Sequence, residues 1–259
     1  MAKGASIKFN SYEETVPKLL KLLRLDNEVK KHDSIILKVQ LSEHKELSTS
    51  SEFTESVLSF IMKNKNPVTS VFIAEGSDGE DTEVLFENQG FQELADKYGI
   101  GLIDLNNTET FPIENPNFKK FNTIYYPSLL SKSFVITLTK LEENTETVLN
   151  GSLSSMLGTF PAKHYQGFFS TYKNKIRKFP IKYSIHDILR CKFPDFAIVD
   201  ASEFATIIAG LPHEIDKQSI KFLNLETKDV PYLKLLEESP IEPSNSKGKQ
   251  EEVDHLTNS

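Results

Sequence analysis

The chain has 259 residues, of which 38% are hydrophobic and 26% are charged, and its formal net charge is −7. This length and apolar content predict one domain with a substantial core. The acidic balance disfavours a dedicated nucleic-acid binder, which would carry a basic excess. The single cysteine, Cys191, excludes a disulfide framework within the chain and an iron–sulfur cluster held by several cysteines.

The sequence lacks the patterns of export and membrane insertion. Its first residues contain no apolar h-region. No apolar run approaches the roughly 20 residues that a membrane span needs. We therefore expect a cytoplasmic protein without a membrane partner.

The first part of the chain alternates between strand and helix patterns. Strands are predicted at 5–10, 34–40, 70–75 and 100–105, and helices at 11–25, 50–64 and 81–99, the last with a break near Gly90. Ser11 and Glu14 give the first helix the pattern of a capping box. Such alternation is typical of parallel strands joined by right-handed crossovers. The sequence thus predicts a Rossmann-like α/β fold, with a mostly parallel sheet flanked by helices.

The second part of the chain is less regular. Strands are predicted at 122–127, 134–140, 196–201 and 220–226, helices at 151–158, 182–192 and 230–239, one helical turn at 128–132, and loop or edge structure at 107–121. Residues 163–183 interleave basic and aromatic side chains. This pattern favours an amphipathic helix with a solvated face over a site for single-stranded nucleic acid.

Apolar residues nearly vanish after Ser239. We therefore expect a single α/β domain over residues 1–238 and a disordered tail over residues 239–259.

Polar residues follow several predicted strands, where open parallel sheets bind their ligands. The candidate site residues are Lys38, Glu75, Gly76, Ser77, Asp78, Asp104, Lys140 and Asp200. Any single carboxylate or serine at such a place more often caps the next helix. A ligand site built from these residues requires that Glu75, Asp104, Lys140 and Asp200 lie within one concave site, and this hypothesis fails if they point in different directions.

The loop at residues 75–83, EGSDGEDTE, leaves two interpretations open. It lacks the Gly-Lys-Ser/Thr of a P-loop and the G-x-G-x-x-G of a dinucleotide site, and its carboxylates would repel phosphate. The same carboxylates would suit Mg²⁺, although their spacing does not match an EF-hand and we assign no metal ligands. The loop is either a helix-capping turn or a ligand loop, and the cofactor is not identified.

Four blocks of the chain resemble the family called domain of unknown function 362 (DUF362). They are DSIILKVQL at 33–41, the Gly/Ser turn, helix and strand at 71–106, FVITLTKLEENTETVLNGSLSSMLGTFP at 134–161, and the block at 186–212. The resemblance extends over about residues 5–225. Many members of that family also carry cysteine-rich ferredoxin modules, which a chain with one cysteine lacks.

The chain departs from the family pattern at cationic and histidine positions. The family typically has Lys-Pro-Asn where this chain has KVQ at 38–40, and Pro-Lys-x-Lys-Thr-His where it has TKLEEN at 139–144. The family's Lys-Asn before Leu-Phe-Gly corresponds to Ser154 and Ser155. This pattern is expected when a fold is kept while its polar site changes.

Two functions follow from these patterns. The first is binding of a small anionic or metal-associated ligand at the carboxyl edge of the sheet, where Lys140 would hold the anionic group. The second is a non-catalytic scaffold that binds a protein partner through residues 163–183 or the tail. The missing histidine and second lysine favour the scaffold, whereas the carboxylates at the sheet edge favour the ligand.

Overall fold

The computed structural model describes residues 3–241, and the tail predicted at 239–259 lies outside the described residues beyond Ile241. The strands are β1 (Gly4–Lys8), β2 (Ser34–Lys38), β3 (Ser70–Glu75), β4 (Gly101–Asp104), β5 (Thr110–Glu114), β6 (Thr123–Pro127), β7 (Phe134–Lys140), β8 (Glu142–Asn144), β9 (Val148–Asn150), β10 (Phe196–Ala201) and β11 (Thr206–Gly210). The helices are α1 (Tyr12–Leu22), α2 (Leu25–Glu28), α3 (Ser51–Asn64), α4 (Thr82–Asn88), α5 (Phe91–Tyr98), α6 (Ser128–Lys132), α7 (Ala162–Tyr165), α8 (Ile181–Cys191), α9 (Pro212–Ser219) and α10 (Pro231–Glu238).

Seven strands form one mixed sheet in the order β1-β11-β10-β7-β2-β3-β4. The strands from β10 to β4 are parallel to one another, and β11 is antiparallel to both of its neighbours. A short connection at residues 202–205 explains the antiparallel pair, because parallel neighbours need a longer crossover. The prediction of an α/β fold with a mostly parallel sheet is confirmed.

The chain order within the sheet reverses between β2 and β7. From β2 the chain continues to β3 and β4 on one side, whereas β7 is followed by β10 and β11 on the other. Open α/β sheets bind ligands at such a topological switch point, beyond the carboxyl ends of the strands.

The sheet is covered on both faces. One core contains Val16 of α1, Phe53 of α3 and Phe91 of α5, and the other contains Ile185 of α8 and Leu233 of α10. Alternate residues of each strand enter opposite cores, as the pleat of a strand requires. None of the described helices combines the length and the apolar character of a membrane span.

Several predicted elements need correction. Residues 220–226 are not a strand: a 3-10 helix occupies Ile220–Leu223 and ends at Asn224, which adopts a left-handed conformation with φ +54°. Strand β11 and helix α9 were not predicted. Residues 163–183 do not form one helix, because Pro180 disfavours helical backbone at Phe179 and α8 begins only at Ile181. The capping box is half formed, since Ser11 accepts from Glu14 N while the Glu14 carboxylate accepts from Asn10.

The break between α4 and α5 depends on Gly90, which has φ +82°. We expect Gly90→Ala to lower the free energy of unfolding by about 1–2 kcal/mol, because a Cβ is strained in the left-handed region. The added Cβ would also lie 3.3 Å from Ser51 Oγ. Urea unfolding followed by circular dichroism measures this, with the exposed Glu87→Ala on α4 as the control. Equal midpoints for the two variants would contradict the expectation.

Candidate functional site

A cavity of about 160 Å³ lies at the switch point, beyond the carboxyl ends of β2 and β3 and beside the β8–β9 hairpin that follows β7. We call it the switch-point cavity. Its lining is largely polar. The polar and charged residues are Gln40, Glu75, Ser77, Asp78, Asn144, Glu146, Thr147, Asn150, Ser154, Ser155 and Arg177.

A buried ion pair lies beside this cavity. Lys38 is fully buried, and its Nζ donates to Glu75 Oε2 at 2.7 Å, to Val39 O at 2.8 Å and to Ser155 O at 2.9 Å. These contacts use all three protons of the ammonium group. Gly158 permits the close approach, because a Cβ at this position would lie 2.5 Å from Glu75 Oε1.

A second buried lysine, Lys173, joins the pair. Its Nζ donates to Gly76 O at 2.6 Å and to Gly158 O at 3.2 Å. Burial lowers the pKa of Lys173 to about 8, although Glu75 and Asp78 oppose this effect. Burial likewise raises the pKa of Glu75 against the charges of Lys38 and Lys173. Two buried amines therefore lie near one buried carboxylate, and of the two it is Lys38 that bonds to it.

The acidic loop after β3 is held by cations and by helix α4. Asp78 accepts from Lys173 N at 2.7 Å and pairs with Arg177 at 2.5 Å, and Arg177 also makes a two-pronged contact with Glu146 at 2.7 and 2.9 Å. Asp81 caps α4 by accepting from the backbone of residues 83 and 84. One carboxylate of the loop thus serves as a cap, and another anchors the 173–177 segment.

Two polar atoms at the cavity have no hydrogen-bond partner within residues 3–241. They are Ser77 Oγ and Gln40 Oε1, and both atoms are buried. Ser77 as a whole is only 4% exposed. Leaving such a group unpaired costs about 1–3 kcal/mol, which makes these two atoms candidates for a ligand contact.

The structure does not bring all predicted site residues together. Lys38, Glu75, Gly76, Ser77 and Asp78 cluster at the switch-point cavity. The expectation that Glu75 shares one concave site with Asp104, Lys140 and Asp200 is wrong, for two separate reasons.

The first reason is the length of β7. Thr137 is the register partner of Lys38, so Lys140 lies three residues farther along the strand direction, as does its own register partner Asp200. Lys140 donates to Glu46 O at 2.7 Å and pairs with Glu203 at 2.9 Å. Burial opposes its charge, but Glu203 outweighs burial and raises its pKa. Lys140 is therefore already neutralised away from the cavity.

The second reason is the direction of the Asp104 side chain. Asp104 is the register partner of Glu75 on the neighbouring edge strand β4, but its carboxylate accepts from Asn106 N at 2.9 Å and from Asn107 Nδ2 at 2.5 Å. It lines a separate groove with Asp81. Asp200, at the other side of the sheet, accepts from Tyr12 Oη at 2.7 Å.

Two of the loop carboxylates suggested for Mg²⁺ do not suit a cation. Asp78 is neutralised by Arg177, and Glu75 by Lys38. Within residues 3–241 no group of three or more His, Cys, Asp or Glu side chains is arranged to hold a metal ion.

Sequence reasoning missed Lys173, Arg177 and Glu146. Lys173 and Arg177 were assigned to the solvated face of a helix, yet they reach a loop that lies 95–99 residues away in the chain. One signal could have found them: residues 163–183 contain six basic side chains and no acidic one, so their counterions must come from elsewhere.

Comparison with known families gives one match. The family model described as "Domain of unknown function (DUF362)" matches residues 35–207. This range covers more than half of the chain and extends from β2 into β11, so it contains the whole switch-point cavity. No curated protein matches the chain.

Proposed function

Because the chain belongs to the DUF362 family, whose description names no activity, we propose a function from the geometry of the cavity: the protein binds a small polar anion at the switch point. The observation that carries this proposal is the pair of buried, unpartnered atoms, Ser77 Oγ and Gln40 Oε1. The proposal places the ligand where Rossmann-like folds bind theirs. We also propose, as expected from the sequence, that residues 1–238 form a single domain and that the protein is cytoplasmic.

The two free atoms specify complementary groups on the ligand. Gln40 Oε1 is an acceptor, so the ligand presents a hydroxyl or amino donor to it. Ser77 Oγ donates or accepts. The volume of about 160 Å³ lies below the roughly 300–1,000 Å³ of pockets for drug-sized ligands, which favours a small molecule.

The proposal that the ligand is an anion rests on the buried charges beside the cavity. Lys38 and Lys173 outnumber Glu75 beside the cavity, and charges act over longer distances in a water-poor interior than in solvent. Asp78 and Glu146 carry less weight because their side chains are 25% and 36% exposed to solvent and because Arg177 pairs with both. Small hydroxy acids, such as lactate and glycerate, combine the required donor with a carboxylate.

The test is a thermal-shift titration with lactate and glycerate. A ligand that binds only the folded state raises the Tm with concentration, by about 2.7 kcal/mol of stability at a hundredfold excess over Kd. We expect Ser77→Ala to reduce this shift. The Ser77→Ala protein without ligand should keep or raise its Tm, because an unsatisfied buried hydroxyl is removed.

Two controls accompany this titration. Ser131→Ala lies outside the cavity, where the Ser131 hydroxyl bonds to Ser128 O, and should leave the shift unchanged. Acetate has the carboxylate but no hydroxyl and should bind more weakly than lactate. A lower Tm for free Ser77→Ala, or equal shifts in wild type and Ser77→Ala, would contradict the proposal.

The second candidate is the non-catalytic scaffold. It is favoured by the exposed aromatic side chains of residues 163–183, which the cavity does not explain. The tail, its other proposed contact, lies outside the described residues.

A further inference from the structure

Two adjacent phenylalanines are exposed at the tip of the loop that joins α7 to the Asn174–Arg177 turn. Phe168 is 93% exposed and Phe169 is 96% exposed. Their rings contact only one another closely, with centroids 4.7 Å apart at an angle of 89°. We call residues 167–172 the aromatic tip. Exposed apolar side chains are common singly, but two adjacent and fully exposed aromatic rings indicate a binding surface.

The aromatic tip is fixed at its base. Gly167 N donates to Tyr172 O, which closes the loop, and the Tyr172 ring fills the space beside Gly79. The next residue, Lys173, is buried and bonded to the loop after β3. These contacts hold the backbone on both sides of the phenylalanines, so the rings project from a closed loop.

Two lysines follow the tip in the chain. Lys175 and Lys178 are exposed and form no ion pair among the described residues, and Lys175 Nζ donates to His164 O at 2.8 Å. Lys120 lies 5.0 Å from the Phe179 ring and 5.2 Å from the Tyr183 ring, which extends the same basic and aromatic surface. Residues 163–183 contain six basic side chains and no acidic one, whereas the whole chain carries a net charge of −7. Such a basic segment in an acidic protein points to an anionic partner.

We propose that the aromatic tip inserts into the surface of a membrane that contains anionic lipids. Phe168 and Phe169 enter the boundary between headgroups and acyl chains, and Lys175, Lys178 and Lys120 contact the headgroups. Attachment of this kind combines apolar insertion with electrostatic attraction and needs no spanning helix. The inference goes beyond the proposed ligand site and replaces the expectation of no membrane partner.

The geometry favours a bilayer over single-stranded nucleic acid. Successive bases stack on aromatic rings with accessible, roughly parallel faces. The rings of Phe168 and Phe169 are perpendicular to one another and in mutual contact. A convex apolar tip with lysines behind it matches a soft anionic surface, because the headgroup layer admits the rings while its charges meet the ammonium groups.

The test is co-sedimentation of the full chain with vesicles of phosphatidylcholine alone or mixed with phosphatidylserine. We expect binding to the mixed vesicles and at least about tenfold weaker binding to phosphatidylcholine. Phe168→Ala/Phe169→Ala and Lys175→Glu/Lys178→Glu should each lower binding to the mixed vesicles at least about tenfold. Leu22→Ala is the matched control, since Leu22 is 63% exposed on α1 and lies outside the segment. All variants should keep the wild-type Tm.

A second readout uses the absence of tryptophan from the sequence. Phe168→Trp gives one fluorophore at the tip, and its emission should shift to the blue when mixed vesicles are added. The inference is overturned if wild type does not sediment with mixed vesicles, if the two phenylalanines can be removed without loss, or if the emission does not shift. Binding of a single-stranded oligonucleotide with no vesicle binding would also overturn it.

Discussion

A Lys38→Met variant is expected to lose about 3–5 kcal/mol of the free energy of unfolding at neutral pH. The lysine is fully buried and is the direct ion-pair partner of Glu75. Methionine fills a similar volume but leaves the buried carboxylate uncompensated. The substitution also removes the donor from two backbone carbonyls, those of Val39 and Ser155. Urea unfolding at pH 7 measures the loss.

Two comparisons separate the effect of the unpaired buried charge on stability from the general effect of removing a lysine side chain. Lys228→Met breaks a pair in which both side chains are about 70% exposed, and should change stability by less than about 1 kcal/mol. Lys38→Met/Glu75→Gln should recover part of the loss, because the carboxylate that lost its ion-pair partner is removed as well. If Lys38→Met costs no more than Lys228→Met, the ion pair does not stabilise the fold in the way described.

Replacement of Asp216 by asparagine is expected to change how stability depends on pH. This carboxylate of α9 is fully buried, and it accepts from Ser152 N, Leu153 N and Tyr232 Oη at 2.7–3.0 Å. Burial raises the pKa of Asp216 from 3.8 to about 6, although these hydrogen bonds act in the opposite direction.

The direction in which stability changes with pH follows from the state that binds the proton of Asp216 more tightly. Between pH 4 and pH 6 the folded state holds the proton of Asp216 more tightly than the unfolded chain does. The stabilisation is therefore fully present below pH 4 and is lost as the pH rises through about 6. The interval between the two pKa values corresponds to about 3 kcal/mol.

The measurement is the difference in unfolding free energy between Asp216→Asn and wild type at pH 4 and pH 7. Asparagine should cost stability at both pH values, because it loses one acceptor oxygen. The unfolding free energy of the variant relative to wild type should nevertheless rise by about 3 kcal/mol from pH 4 to pH 7. Glu52→Gln, at an exposed position of α3, controls for the removal of one carboxylate. A pH-independent difference for Asp216→Asn would refute the assignment.

Strand positions were predictable because the parallel strands at the centre of the sheet are buried on both faces. Residues 134–140 and 196–201 have the near-continuous apolar runs that such burial requires, and the bounds of β7 and β10 match them. Strand β11 was missed although it is fully buried as well. Its run of five residues is short and follows β10 after only a few residues.

The site was predictable only where the strand ends coincide. Lys38 and Glu75 end neighbouring strands, so the rule for parallel sheets brings them together. The same rule failed for Lys140, because β7 continues past Thr137, the register partner of Lys38. The register and the length of each strand are set by its pairing with other strands, and a single sequence does not specify that pairing. The role of Lys173 could not be predicted for a related reason, because its hydrogen-bond partners are distant in the chain.

Strand β1 has a consequence for the order in which the protein assembles. Residues 4–8 leave the ribosome long before their described sheet partner β11 at residues 206–210, and the bond from Thr206 Oγ1 to Ile7 O spans 199 residues. Until β11 emerges, β1 has no strand to pair with, and the apolar face of α1 lacks part of its cover. Contacts of such long sequence separation form slowly. Strand β1 is therefore among the last strands of the described sheet to join it, although it is synthesised long before its partner.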